Sequence, residues 1–254
     1  MGKTTFLSIL ILILAAGLVL AGGGGGEAKT GKPRVVIATD ATWPPMEMVN
    51  EAKEIVGFDI DLMKAAAAAG GFTVEFKNTA WDGIFAGLEA GEYDAVMSSV
   101  TITDERKQTM DFSVPYINAG QILVVRKEST GVDKLDQLVG KSVGAQIGTT
   151  GSFEIEKVKG VNLKTYDEIG LAFEDLINGR IEAVVCDTPV AAQFALQNEN
   201  YKGKLKIVGK PFTEEYYGVA VKKGNSKVLD LVNKGLNKVL KTPTYDKIYA
   251  AWLK

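Results

Sequence analysis

Histidine is absent from the 254 residues, and cysteine occurs once, at Cys186. The first absence excludes Ser-His-Asp and Cys-His catalysis and every histidine-ligated metal site. The second excludes an internal disulfide and a thiolate metal cluster. No metal and no cofactor is therefore expected. Neither sign of charge is in excess: 29 Lys and Arg stand against 31 Asp and Glu, a formal charge of −2. That balance gives no electrostatic reason to expect a nucleic acid partner. What is present is ordinary for a globular chain, 46% apolar and 24% charged residues, which makes disordered and collagen-like readings untenable.

Only one long hydrophobic run occurs, Phe6 to Ala21, 16 apolar and small residues behind the single cation Lys3. A spanning helix needs roughly 20 such residues, and export signals carry about 7–15. Five glycines follow, Gly22 to Gly26, with no stop-transfer charges. The run is read as an export signal over residues 1–22, with a flexible Gly- and Lys-rich linker over 23–32. Leu20-Ala21-Gly22 matches the start of a bacterial lipoprotein processing site, but Gly23 stands where the lipid-bearing cysteine would be. The expected location is the periplasm or the extracytoplasmic membrane surface, without a lipid anchor at that residue. Loss of the signal takes the formal charge from −2 to −3. A nearly cysteine-free mature chain fits an oxidising compartment.

Beyond the linker, β-type runs alternate with helical ones. Strands are expected at Arg34–Thr39, Thr73–Lys77, Ala95–Met97, Gln121–Val125, Ser142–Ala145, Leu163–Tyr166, Ala183–Val185 and Tyr217–Val221. Helices are expected at Ile60–Ala69, ahead of Gly70-Gly71, at Ile84–Ala90, ahead of Gly91, and at Ile169–Asn178, ahead of Gly179. A further helix, Lys227–Leu240, carries apolar residues at a helical period. The alternation predicts an α/β class built of parallel βαβ units. About 230 mature residues are many for one such sheet, so two lobes are expected.

In α/β sheets ligands sit beyond the carboxyl ends of the strands. After the first strand comes Asp40-Ala41-Thr42-Trp43-Pro44-Pro45, and after the second Trp81-Asp82-Gly83. Ser98-Ser99-Val100-Thr101 runs on to Arg106, Gln146 leads Gly148-Thr149-Thr150-Gly151, and Asp187-Thr188-Pro189 closes the set. An Arg fork matches a carboxylate, an Asp with hydroxyl oxygens matches an ammonium, and indole faces accept a flat or cationic group. Each residue also has a scaffold reading. Asp187 before Pro189 suits a helix N-cap. Thr103-Asp104-Glu105 suits a helix start that would leave Arg106 in solvent. Trp43 and Trp81 could be core aromatics, Asp40 a turn residue and Cys186 a buried strand thiol. The Gly148–Gly151 turn lacks the lysine of a phosphate loop. Their shared position at strand ends favours the ligand reading.

Several segments together resemble the bacterial extracellular polar amino-acid-binding proteins of ABC transporters. They are Ala38-Thr39-Asp40 with Pro44-Pro45-Met46-Glu47, Gly57-Phe58-Asp59-Ile60-Asp61-Leu62, Trp81-Asp82-Gly83, Ile102 to Lys107, Asp111-Phe112-Ser113, Asp187-Thr188-Pro189 and Tyr217-Gly218-Val219-Ala220. The resemblance runs from about Pro33 to Lys254. It implies the two-lobe periplasmic-binding-protein fold of the Venus-flytrap type, with two hinge strands near Tyr116–Gly120 and Pro211–Glu215. Lobe 1 would hold residues 33–117 and 214–254, and lobe 2 residues 118–213.

The resemblance also implies roles. Arg106 would hold an α-carboxylate with backbone amides near Thr101 and Thr150. Asp187 would hold the α-ammonium with oxygens of Ser99 and Thr101. Trp43 and Trp81 would flank the side chain, Asp40 would meet its far end, and Gln146 would add a neutral acceptor there. Ser98 and Thr149 would complete the site. Asp40 between two indoles suits a basic tail, so L-arginine or another basic amino acid is the expected ligand. Glutamine is the alternative. Glutamine-binding members carry a basic residue near Gln146 and a histidine at the Cys186 position, both missing here. The expected partner is a membrane ABC permease, the expected state a monomer, and the protein is not expected to be an enzyme. Dehydratases on this fold act on cyclic substrates and form the remote alternative.

Overall fold

The computed structural model describes residues 31–254, so the expected export signal and all but the end of the linker lie outside the described residues. In chain order the first half contains β1 (Arg34–Thr39), β2 (Thr42–Trp43), β3 (Glu47–Val49), β4 (Ile55–Val56), α1 (Phe58–Gly70), β5 (Thr73–Asn78), α2 (Ile84–Ala90), β6 (Ala95–Val96), α3 (Arg106–Thr109), β7 (Met110–Phe112), β8 (Ile117–Asn118) and β9 (Gln121–Arg126). The second half contains β10 (Ser142–Gln146), α4 (Thr150–Glu156), β11 (Asn162–Tyr166), α5 (Ile169–Ile177), β12 (Ala183–Asp187), α6 (Thr188–Ala192), β13 (Leu205–Val208), β14 (Tyr216–Tyr217), β15 (Ala220–Lys222), α7 (Ser226–Val239) and α8 (Pro243–Trp252).

Two five-stranded sheets organise these elements, in the orders β5-β1-β6-β15-β7 and β11-β10-β12-β9-β13. The fold is therefore α/β with two lobes, one around each sheet. In each sheet the first three strands are parallel, as the alternation predicts. The other two pair antiparallel, which corrects the expectation of purely parallel units. The reason is connectivity. Parallel strands of a βαβ unit all end on the same edge, whereas β9 enters its sheet at that edge from the other lobe. Its first residue, Gln121, lies opposite Asp187, the last of β12.

The chain passes between the sheets through β8 and again through β14, and these two strands pair antiparallel as a ribbon, Ile117 opposite Tyr217. The ribbon ends beside a tight crossing: a Cβ on Gly120 would lie 2.2 Å from the Thr213 carbonyl oxygen. The expected strand Tyr217–Val221 is two strands, broken at Gly218-Val219, where the chain leaves the ribbon for the edge of the first sheet.

Sequence also explains the outer packing of the first lobe. The alanine run of α1 faces α7, and Gly235 of α7 sits so close that a Cβ there would meet the Ala66 carbonyl oxygen at 2.3 Å. Small residues on both helices permit that approach, and bulkier ones would force the helices apart. The C-terminal helix is tied on by Trp252, whose indole N–H donates to Asp61 at 2.8 Å. Cys186 is buried in β12, and burial raises its thiol pKa well above the usual range.

Candidate functional site

Asp40 follows β1, Ser98 and Ser99 follow β6, Gln146 ends β10 and Asp187 ends β12. The carboxyl ends of strands from both sheets thus converge on one small cavity. Its lining includes all eleven residues singled out from the sequence: Asp40, Trp43, Trp81, Ser98, Ser99, Thr101, Arg106, Gln146, Thr149, Thr150 and Asp187.

Arg106 opens the short helix α3, where its amide donates to the Thr103 hydroxyl. Its side chain is not in solvent. The guanidinium lies 5.6 Å from the Trp81 ring centre and 5.1 Å from that of Phe85, an edge-on aromatic pair. It donates to the carbonyls of Thr101 at 3.0 Å and Gly148 at 3.3 Å. Two of its five N–H donors are thereby committed and three remain for an anion. Burial lowers its pKa to about 10, and the nearby charges of Glu215 and Asp187 act in the opposite direction.

Asp187 occupies the N-cap position of α6, yet its side chain makes no capping bond. It accepts from the Gln121 amide at 3.0 Å instead. Burial, and then the neighbouring charge of Glu215, raise its pKa from 3.8 to about 7. Asp40 accepts from the Thr42 hydroxyl and from Gln146, each at 2.8 Å, and burial raises its pKa too. Gln146 points its amide nitrogen at two acceptors, Asp40 and the Asp167 carbonyl, so its own oxygen is the end left to accept.

The hydroxyls fall into two groups. Ser98 accepts from the Asp40 amide and donates to Glu47, and Thr149 caps α4 and donates to the Gln146 carbonyl. Both line the cavity with their hydroxyls committed to the scaffold. Ser99 has φ +50°, a left-handed conformation rare outside glycine, and its buried Oγ has no partner. That conformation is held from beneath: Asp59 accepts from the Ser99 amide at 2.9 Å and from the Tyr116 hydroxyl at 2.7 Å. Asp59 is also close to the fully buried Glu47, whose pKa burial and the Asp59 charge drive well upward.

Glu215, just before β14, is absent from the sequence-derived set. It accepts from the Thr101 hydroxyl at 2.8 Å, the Thr150 hydroxyl at 2.7 Å and the Thr213 hydroxyl at 2.8 Å. Gln121 was likewise taken only as a strand residue, and its amide links Asp187 to Thr150. Position held the signal for both: they lie where the chain crosses between lobes.

Among the described residues no ion pair involves Asp40, Asp187, Glu215 or Arg106. Three buried carboxylates and one guanidinium therefore share the site without direct pairing. Buried unpaired charge is costly, so this arrangement is suited to a ligand that brings one anionic group and more than one cationic group.

Residues 35–254 match the family described as bacterial extracellular solute-binding proteins, family 3. A protein named "Probable histidine-binding protein" from Neisseria gonorrhoeae is 38% identical over 219 residues, 85% of this chain and 81% of that one. Two solved structures of an ancestral arginine-binding protein are also similar. The form bound to arginine is 44% identical with a TM-score of 0.82, covering 88% of this chain and 99% of that one. The form bound to glutamine is 45% identical with a TM-score of 0.81, covering 87% and 98%. The chain belongs to the family 3 solute-binding proteins.

Proposed function

We propose that this family 3 solute-binding protein captures an L-amino acid, arginine or another basic one, between its lobes and delivers it to an ABC permease in the membrane. The observation that carries the reading is the charge set of the cavity. Arg106 offers three free donors to an α-carboxylate, and Asp187 awaits an α-ammonium. At the far end Asp40 awaits a second cation, with the Gln146 oxygen beside it. Counting Glu215, the cluster has three carboxylates to one guanidinium. A basic amino acid, two cations and one anion, leaves that excess smaller than a neutral-tailed amino acid does. Trp43 and Trp81 line the same cavity and suit a flat cation.

Glutamine is the second reading, supported by the glutamine-bound form of the similar ancestral protein. Its amide would donate to Asp40 and leave that charge uncompensated. The protein acts as a binding component and not as an enzyme: burial and the Glu215 charge raise the Asp187 pKa, and an ammonium beside it would favour the ionised form. Export to the extracytoplasmic side and a monomeric state complete the proposal. No helix among the described residues is long and apolar enough to cross a membrane.

The test is a calorimetric screen of the twenty amino acids on protein stripped of ligand by unfolding and refolding. Arginine should bind most tightly, with lysine or histidine next. Tighter binding of glutamine would replace the specificity reading, and turnover of prephenate or arogenate would replace the functional one.

A further inference from the structure

Glu215 sits on the crossover chain between the lobes, 8% exposed, and receives a hydroxyl from each side. Thr101 follows β6 of the first sheet, and Thr150 begins α4, which packs on the second. Both donate to the same oxygen, Oε2, at 2.8 and 2.7 Å. The other oxygen, Oε1, is held by Thr213 at 2.8 Å, so the carboxylate cannot swing away without giving up that bond. The Glu215 backbone is fixed as well, its carbonyl accepting from Ala119 on the other crossover at 2.8 Å.

A threonine hydroxyl has one proton and two lone pairs. With each proton directed at Glu215, both hydroxyls present only lone pairs to anything else that approaches. The structure already contains one such approach: the Gln121 amide donates to the Thr150 oxygen at 3.1 Å. The Thr101 and Thr150 oxygens lie 3.4 Å apart, next to Asp187 and on the cavity wall.

We infer that Glu215 is a positioning residue for ligand orientation: it fixes the Thr101 and Thr150 hydroxyls as acceptors, one from each lobe, and so reserves that end of the cavity for the α-ammonium. An α-carboxylate at the same place would meet lone pairs and the carboxylates of Glu215 and Asp187, and is directed to Arg106. One buried carboxylate thereby sets the polarity of two neutral hydroxyls and the direction in which a zwitterion enters. The inference rests on the amino-acid-binding reading above.

The experiment compares parent and Glu215→Gln by calorimetry with L-arginine and with 5-guanidinopentanoate, which lacks the α-amino group. The same pair is run for L-glutamine and its deaminated analogue. A carboxamide with its nitrogen at the Oε2 position releases the Thr101 and Thr150 protons toward the cavity; the opposite flip releases only Thr213, so Glu215→Leu, which accepts from none of them, is titrated alongside and read by the same criteria. The variant should bind the amino acid about tenfold to a hundredfold more weakly, the range for one charge-assisted hydrogen bond. It should bind the deaminated analogue within about threefold of the parent, because no ammonium is there to be misreceived. In a Thr101→Val, Thr150→Val background the substitution should have little further effect, since the hydroxyls through which Glu215 acts are gone. Equal losses for both ligands of a pair would reduce Glu215 to a scaffold residue. An undiminished loss in the double-valine background would make its own charge the agent. Either result overturns the inference and leaves the functional reading standing. A parent that binds neither amino acid removes the functional reading, and this inference with it.

Discussion

Replacing Asp187 by Asn should weaken ligand binding while making the empty protein more stable, and the gain should grow with pH. The carboxyl titrates at about 7 in the folded chain against 3.8 ordinarily, because it is buried and because Glu215 is charged beside it. Between those two values the folded chain holds a proton that the unfolded chain has released. The native state is therefore relatively favoured at low pH and loses stability as pH rises through the window. At roughly 1.4 kcal/mol per pKa unit, the full window corresponds to on the order of 4 kcal/mol lost near pH 8, and about half of that at pH 5.5. Asparagine does not titrate, so its stabilising effect should be larger near pH 8 than at pH 5.5 by about 2 kcal/mol, or roughly 4–8 °C in Tm for a chain of this size. Any pH-independent cost of the amide cancels in that difference. Scanning calorimetry of ligand-free parent and variant at the two pH values measures it, and titration calorimetry at the same values measures the ligand. In the parent, arginine should bind more tightly as pH rises toward 8, with proton release on binding below about pH 7, because its ammonium needs the ionised carboxylate. In the variant, affinity should be lower by about 2–5 kcal/mol. An equal Tm difference at both pH values would refute the reasoning, since it would mean that Asp187 is ionised throughout.

Arg106→Ala should cost about 3–5 kcal/mol of arginine affinity, since it leaves a desolvated carboxylate unpaired. Arg106→Lys should also bind poorly, because one ammonium cannot both hold two backbone carbonyls and present a fork. Affinity within about threefold of the parent for the alanine variant would refute the assignment. Asp40→Asn should weaken arginine much more than glutamine, as only the cation loses a Coulomb partner in a low-dielectric cavity; titrations showing equal losses would place Asp40 in the scaffold beside Thr42 and Gln146. Because ligand groups come from both lobes, a bound amino acid has differential affinity for the closed arrangement. Adding arginine to stripped protein should therefore shrink the radius of gyration in small-angle scattering, with the β8–β14 ribbon as hinge. Asp187→Ala should abolish the change at ligand levels that saturate the parent, and identical parent curves with and without ligand would rule closure out.

Local chemistry made much of this molecule legible from its sequence. Strand β1 lies at the expected Arg34–Thr39 and helix α2 at Ile84–Ala90, because β-branched runs, helical periodicity and terminal glycines act over a few residues. The eleven residues after strand ends line one cavity, because side chains at the carboxyl edge of a parallel sheet have nowhere else to converge. The absence of histidine and the family motifs needed no coordinates. Tertiary structure alone decided what depends on two distant segments meeting. It turned β9 and β15 antiparallel, since each enters its sheet from the other lobe. It drew Asp187 away from the capping role its neighbours suggest and toward Gln121, 66 residues away. It buried Glu47 near Asp59, and burial with that neighbouring charge raises the Glu47 pKa well above the usual carboxylate range. It also placed Glu215 between Thr101 and Thr150, 114 and 65 residues distant in the chain. Propensity and spacing describe what a residue does to its neighbours in sequence. The charge of a cavity is a sum over residues that only folding brings within reach of one another, in a medium too poorly solvated to screen them.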